Sequence, residues 1–305
     1  MPSISASFPE LFALVAEQLS NSDAPVITNY ELGKLVFKIV ASEQIPSSRV
    51  FYDQVLDTLQ TVKLLTPHKD FKAGSVFSIF GKMHPSPKEV ACTVDPYAYV
   101  THLSAMEYHG LTDRFPKMVY LCTPPAREWN EHAKSKQVKD LGDQIFAYNE
   151  AGYPPLLRSR MTRIDGVTIQ VLARSKLGAF KTIKGPPLRV ATIGRTFLDM
   201  LREPEDCGGI QHVIDAYRDN AKRYLSLIAD EVERNGTQVD KVRCGYLLTE
   251  VCHLAHPIFD SWTRFAQRGG SRKLDAANDY ANAFSERWQL SLNVPSLTTE
   301  SSSYG

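Results

Sequence analysis

Apolar residues at Phe8, Leu11, Phe12, Val15 and Leu19 recur at helical spacing, and Asn21, Ser22, Asp23 and Pro25 break the run. A second stripe, Leu32, Leu35, Val36 and Ile39, predicts a helix from about Asn29 to Val40. Ile45 to Ser48 reads as a turn whose serine caps a third helix, Arg49 to Leu64, with Phe51, Val55, Leu59 and Val62 inward. Two short apolar runs, Leu64-Leu65-Thr66 and Val76 to Phe80, flank a polar tip from Pro67 to Gly74 and predict a β-hairpin. Helices followed by a hairpin over residues 1–83 match a winged helix-turn-helix.

The prolines of the segment His84 to Lys88 predict a linker, since proline continues neither regular element. Beyond it, Tyr97 to Tyr108 reads as a helix stopped by Gly110, and Met118 to Thr123 as a buried strand closed by Pro124-Pro125. Residues 126–155 are polar and read as broken chain without an assigned role. Arg158 to Leu172 predicts a hairpin turning at Asp165-Gly166, a dipeptide that tolerates positive φ. Val190 to Leu201 predicts a short strand feeding a helix. Amphipathic runs follow at Ile210 to Tyr217, Ala221 to Arg234, Asp240 to Leu254 and about Asp275 to Leu290. The Ser/Thr-rich tail from Pro295 to Gly305 reads as disordered.

The expected class is therefore α+β: a winged helix-turn-helix over 1–84, a larger mixed domain with a helical C-terminal half over 85–294, and a tail over 295–305. A length of 305 residues accommodates about two domains. Five cysteines, odd in number and irregular in spacing, read as reduced thiols. Met1 to Ser20 lacks a basic leader and is interrupted by Glu10 and Glu17, and no apolar run is long enough to span a bilayer. A cytoplasmic protein without membrane contact is expected.

Two segments carry a resemblance. One runs from Asp95-Pro96-Tyr97 through Thr101-His102-Leu103-Ser104-Ala105 to Gly110-Leu111-Thr112, with Val119 to Pro124 after it. The other runs from Val190 through Arg195-Thr196-Phe197-Leu198-Asp199 to Gly208-Gly209-Ile210, followed by Arg243 to Leu248. The pattern resembles the AbiEi antitoxins of bacterial abortive-infection and type IV toxin–antitoxin systems, over roughly residues 92–254. That resemblance implies an N-terminal winged helix, repression of the protein's own operon, and opposition to a nucleotidyltransferase toxin encoded alongside. The implied partner is double-stranded DNA, as inverted repeats of an operator. The N-terminal module departs from the family's short, basic helices in its longer, acid-bearing second and third helices. The residues themselves read as structural: Ser104-Ala105 allows close helix approach, Gly208-Gly209 a sharp turn, and Asp199 a pairing with a base such as Arg243.

A winged helix reads DNA through its third helix and holds the backbone with its wing. Ser47, Ser48, Arg49, Tyr52 and Gln54 lie at the start of the third helix, off its apolar stripe, and His68, Lys69 and Lys72 lie on the wing. Serines and open amides at a helix start suit phosphate, and Arg49 and Gln54 suit base edges. Against this, residues 1–90 hold 8 Lys/Arg and 9 Asp/Glu, including Asp53 and Asp57 on the same helix. Residues 114–190 hold 14 Lys/Arg and 6 Asp/Glu. There Lys134, Lys136, Lys139, Arg158, Arg160, Arg163, Arg174 and Lys176, continued by Lys181 and Lys184, form a candidate basic face for DNA or RNA, or a merely solvated surface.

Cys252, His253 and His256 cluster at a helix end without a recognised metal spacing, and read as a buried thiol beside satisfied histidines. His102 and His109, seven residues apart, read as packing or surface groups. No nucleophile elbow, P-loop or dinucleotide fingerprint occurs. The expectation is a non-enzymatic antitoxin and autorepressor with no cofactor and no metal. The alternative is a protein-interaction module of a defence system that does not bind DNA.

Overall fold

The apolar stripes of the first 80 residues fold as helices in the computed structural model, which describes residues 8–43, 48–82, 85–267 and 272–300. In chain order the elements begin α1 (Phe8–Asn21), β1 (Val26–Thr28), α2 (Asn29–Ser42), α3 (Arg49–Thr61), β2 (Leu65–Pro67) and β3 (Val76–Ile79). They continue α4 (Pro87–Val94), β4 (Tyr99–Val100), α5 (His102–Tyr108), β5 (Met118–Thr123), α6 (Ala126–Leu141) and α7 (Ile145–Glu150). Next come β6 (Arg163–Ile164), β7 (Val167–Ala173), β8 (Phe180–Thr182), β9 (Arg189–Ala191), α8 (Ile193–Arg202) and α9 (Ile210–Asn235). The last are α10 (Gln238–Tyr246), α11 (Ile258–Thr263), β10 (Phe284–Ser285), β11 (Leu290–Ser291) and α12 (Pro295–Glu300). The fold is α+β. Among the described residues no helix is long and apolar enough to cross a membrane.

Two compact units result, and the division does not fall at the proline-rich segment. The first takes residues 1–100, 117–177 and 182–189; the second takes 101–116, 178–181 and 190–305. The physical reason lies in the first unit's core. The helices α1 to α3 bury Leu11, Val15, Leu32, Val36, Val55 and Leu59, but the same cluster also includes Trp129, Ala133, Tyr148, Tyr153 and Leu156. Tyr148 packs edge-on against Phe37 at 5.2 Å, and Tyr153 lies 5.4 Å from Phe37 and 5.7 Å from Tyr52. Aromatic pairs of this kind contribute about 0.5–1.5 kcal/mol each beyond their burial. Gly33 of α2 permits the approach, since a Cβ there would meet Pro154 Cδ and the Tyr148 hydroxyl, each at 2.8 Å. Helices α1 to α3 therefore share their core with residues 129–156.

Within the first unit, β1, β3 and β2 make an antiparallel sheet in the order β1-β3-β2, with Val26 opposite Ser78 and Leu65 opposite Ile79. A second sheet carries the order β6-β7-β5-β4, with β5 parallel to β7 and the other pairs antiparallel. Asp165 (φ 46°) and Gly166 (φ 84°) make the two-residue turn between β6 and β7, the conformation that the Asp-Gly dipeptide favours.

Residues 126–155, expected as broken chain, are largely helical in α6 and α7. In α6 only Trp129, Ala133 and Leu141 are buried. So sparse an inward stripe leaves most of the helix in water, and its polar surface hides the period. The helix expected over Tyr97–Tyr108 is instead β4 and α5.

The second unit packs Phe197, Leu198, Tyr217, Val242, Trp262 and Trp288 into its own core. The two runs expected at Ile210 and Ala221 join as the single helix α9, kinked at Tyr224. The piece expected as a helix over Asp275–Leu290 is a short hairpin, Phe284 pairing with Ser291. Burial of Trp288 drives this, because its ring closes over Gly245 and its Nε1 donates to Thr249 Oγ1 at 2.9 Å. Residues Pro295–Glu300, within the expected disordered tail, form α12 with Leu297 buried.

Candidate nucleic-acid interface

Helix α3 begins with Ser48, whose hydroxyl accepts the Phe51 amide at 3.3 Å. That bond caps the helix and occupies the oxygen expected to meet phosphate. Ser47 lies outside the described residues. Arg49 is exposed, its side chain at 48%, and its Nε donates to the Asp53 carboxylate at 2.9 Å. Its guanidinium also reaches the Gly152 carbonyl at 3.3 Å and lies over the Tyr52 ring. Gln54 is exposed on the same helix.

Tyr52 corrects the expected set. It is fully buried and its hydroxyl donates to Asn29 Oδ1, while burial pushes that phenol well above its ordinary range. The helical period alone leaves it off the stripe of Phe51, Val55 and Leu59. Tyr153, about a hundred residues on, supplies the cover.

The residues of the β2–β3 loop divide. Lys72 is exposed beside the loop Ala73-Gly74. Lys69 is exposed but its Nζ lies 3.5 Å from Asp165 Oδ1. His68 is buried, between the carboxylates of Asp70 at 4.0 Å and Asp165 at 3.9 Å.

The basic face divides as well. Lys134 and Lys139 are exposed on α6. Lys136 is held by Asp140 at 2.8 Å, and Asp140 also accepts from Lys34 at 3.2 Å and from the Tyr30 hydroxyl at 2.9 Å. Burial alone would raise the Asp140 carboxyl, but the Lys136 bond, Lys34 and Tyr30 outweigh it and hold it below its ordinary value. This ion cluster leaves Lys136 little charge to offer a ligand. Arg163 is exposed on β6, Arg174 follows β7 with its NH1 toward its neighbour's carbonyl at 3.4 Å, and Lys176 is exposed beyond it.

The structure brings four of the predicted cations to one place. A cleft of about 520 Å³ is bounded by the start of α2 (Thr28, Asn29, Tyr30), by Arg49, by the β2–β3 loop from Phe71 to Ser75, and by Pro154 to Arg160. Arg49, Lys72, Arg158 and Arg160 line it, and none of the described lining residues is acidic. Arg49 is already paired with Asp53, so Lys72, Arg158 and Arg160 carry the surplus positive charge, a local field that attracts anions. Thr28, Asn29, Ser75 and Ser159 add polar groups to the wall. The Pro154-Pro155 step, which keeps the segment out of regular structure, is the sequence signal beside Arg158 and Arg160; their meeting with Arg49 has no local signal.

The two motif segments fall in buried networks. In the first unit, Asp95 accepts from Thr123 Oγ1 at 2.7 Å, Trp129 Nε1 at 2.9 Å and the Tyr97 amide at 2.9 Å. In the second, Asp199 accepts from Arg195 Nε at 2.8 Å and Thr101 Oγ1 at 3.0 Å. Asp199 thus pairs with Arg195, one helical turn away, and not with the expected Arg243, whose Nε donates to the Lys273 carbonyl. His102 bonds Glu203 at 2.6 Å, and His109 bonds the Ala191 carbonyl at 2.7 Å. At the other cluster considered, burial pushes the Cys252 thiol up to about 11, His253 is exposed, and His256 Nδ1 accepts the Ile258 amide at 3.3 Å.

No protein-family model matches the chain, and no curated protein matches it. Among solved structures it is similar to the RV2827C protein from Mycobacterium tuberculosis, at 14% sequence identity and a TM-score of 0.47 over 98% of each chain.

Proposed function

We propose that this chain is a nucleic-acid-binding regulator, an antitoxin and autorepressor of the AbiEi kind, which holds duplex DNA by its phosphates. The observation that carries the DNA-binding part is the acid-free cleft lined by Arg49, Lys72, Arg158 and Arg160. The order of α1, β1, α2 and α3 followed by β2 and β3, with the sheet order β1-β3-β2, supports a winged-helix reading of the N-terminal elements. On that reading the start of α2, the start of α3 and the wing face one duplex, which is how such modules grip the backbone. Arg158 and Arg160 add charge that the N-terminal residues lack. Phosphate contacts supply affinity and register, and Arg49 with Gln54 supplies sequence choice. The antitoxin role rests on the two motif segments, and the toxin need not touch the chain.

A second reading rests on the solvent side of α3. Asp53 and Asp57 are exposed there and Val50 is 67% exposed, a surface suited to a protein partner. The discriminating experiment measures binding of the full chain to its own promoter duplex by fluorescence anisotropy. Affinity that falls steeply with salt, and retention lost in the Arg158→Glu/Arg160→Glu double variant, support DNA binding. No retention on heparin at low salt, with no duplex binding, favours the protein partner.

A further inference from the structure

We propose that His68, Asp70 and Asp165 form a binding site for a divalent first-row cation such as Zn²⁺ or Mn²⁺. Each residue offers one ligand atom, and these atoms lie within 4.8 Å of one another. An ion bound at about 2.0–2.2 Å from nitrogen and carboxylate oxygen holds its ligand atoms roughly 3–4 Å apart. The His68 Nε2–Asp165 Oδ2 separation, 3.9 Å, already meets that spacing; the 4.0 Å approach of Asp70 is to the other ring nitrogen, Nδ1.

The three groups come from two distant segments, the loop after β2 and the turn between β6 and β7, and both are held without an ion. The His68 ring packs edge-on against Phe71 at 5.0 Å. The Asp165 amide donates to Asp70 Oδ2 at 2.8 Å, and the Asp70 amide to His68 Nδ1 at 3.3 Å. The first of these orients a carboxylate ligand before binding; the second occupies Nδ1 and leaves Nε2 as the ring nitrogen that faces Asp165. Burial is graded: the His68 side chain is 6% exposed, Asp70 19% and Asp165 43%. The imidazole thus forms a dry back wall, and Asp165 opens the site to solvent.

Charge points the same way. Two carboxylates face one imidazole, and the neighbouring cation, Lys69, is 73% exposed and reaches only Asp165. A screened, mobile ammonium offsets little of that negative charge. A divalent ion would offset all of it. One nitrogen and two oxygen donors without a thiolate suit borderline and hard cations over soft ones. Three protein ligands leave at least one position to water. Ion binding through Nε2 takes the neutral imidazole with its proton on Nδ1, so the Asp70 amide bond to Nδ1 gives way. None of this depends on nucleic-acid binding.

The test titrates the metal-stripped full chain with Co²⁺, read by its visible absorption, and with Zn²⁺ by calorimetry. The decisive variant is Asp165→Asn. Asparagine holds the left-handed turn conformation as aspartate does, and far-UV circular dichroism checks the fold. His102→Gln is the control, because His102, Glu203 and Asp206 form a separate cluster of ligand-type groups. The expected result is one site in the wild type, weakened at least about tenfold in Asp165→Asn and unchanged in His102→Gln. Equal binding by wild type and Asp165→Asn, no uptake by the wild type, or loss only in His102→Gln overturns the proposal.

Discussion

The core pairs of the second unit and the cleft of the first use charged residues in opposite ways. In the second unit Arg195 is matched with Asp199 at 2.8 Å, both buried, and two partly buried pairs accompany it, Arg202 with Asp240 at 2.8 Å and Lys241 with Glu233 at 2.6 Å. In the first unit Arg158 and Arg160 share an open cleft with Arg49 and Lys72, without acidic residues in its described lining. A matched buried charge holds a fold in one arrangement and is costly to break. An unmatched exposed charge contributes little to folding but is available to a ligand. The same residue types therefore predict a stability phenotype in one unit and a binding phenotype in the other.

The largest effect that would break this contrast is at Asp199. Replacing it with alanine removes the acceptor of Arg195 Nε and of the Thr101 hydroxyl, and is expected to cost about 3–5 kcal/mol, measured by urea unfolding. A loss under about 1 kcal/mol would mean that the pair is solvated and the comparison fails. Next is Gly33→Ala, which forces a methyl against Pro154 and Tyr148. Overpacking of this kind costs about 1–3 kcal/mol, and a neutral result would show that residues 148–154 do not press on α2.

The cleft is tested with Arg158→Gln and Arg160→Gln together. Stability should stay within about 0.5 kcal/mol. The slope of log affinity against log salt for duplex DNA should fall by about one for each arginine. Lys134→Gln and Lys139→Gln, outside the cleft, should change that slope less. The smallest effect is in pH. Burial holds His109 below the ordinary imidazole value, with Lys181 adding to it against the Ala191 hydrogen bond; burial and Arg114 do the same at His212. The unfolded chain then takes up protons first as pH falls. Their contribution is full above about 6.5 and is lost as pH drops from there toward the depressed native values. His109→Gln should flatten the fall in melting temperature between neutral and mildly acidic pH, and an unchanged profile would count against a buried neutral imidazole.

Much of the local structure was legible. The stripes through Leu11, Leu32 and Val55 gave helices because a buried helical face repeats over a few residues whatever lies opposite. Asp165-Gly166 gave its turn because both residues tolerate positive φ. The failures had a common cause. Helix α6 was missed because it buries so few residues that its period is faint. The Asp275–Leu290 piece carried helical spacing, yet Trp288 found a better place over Gly245 as part of a hairpin. Tyr52 sat on the polar side of its own helix and was buried by a residue far along the chain.

From its order of residues alone, the chain determined its α+β class, most early elements and the pool of cations from which a binding face can be drawn. Tertiary structure decided which charges meet: Lys34 and Tyr30 join Lys136 at Asp140, while Arg158 and Arg160 join Arg49 and Lys72. It also brought His68 to Asp165 and Thr101 to Asp199. The physical reason is range. Periodicity and turn chemistry act between near neighbours and can be read along the chain, whereas the environment of a charge depends on segments a hundred residues apart that meet only when the core forms.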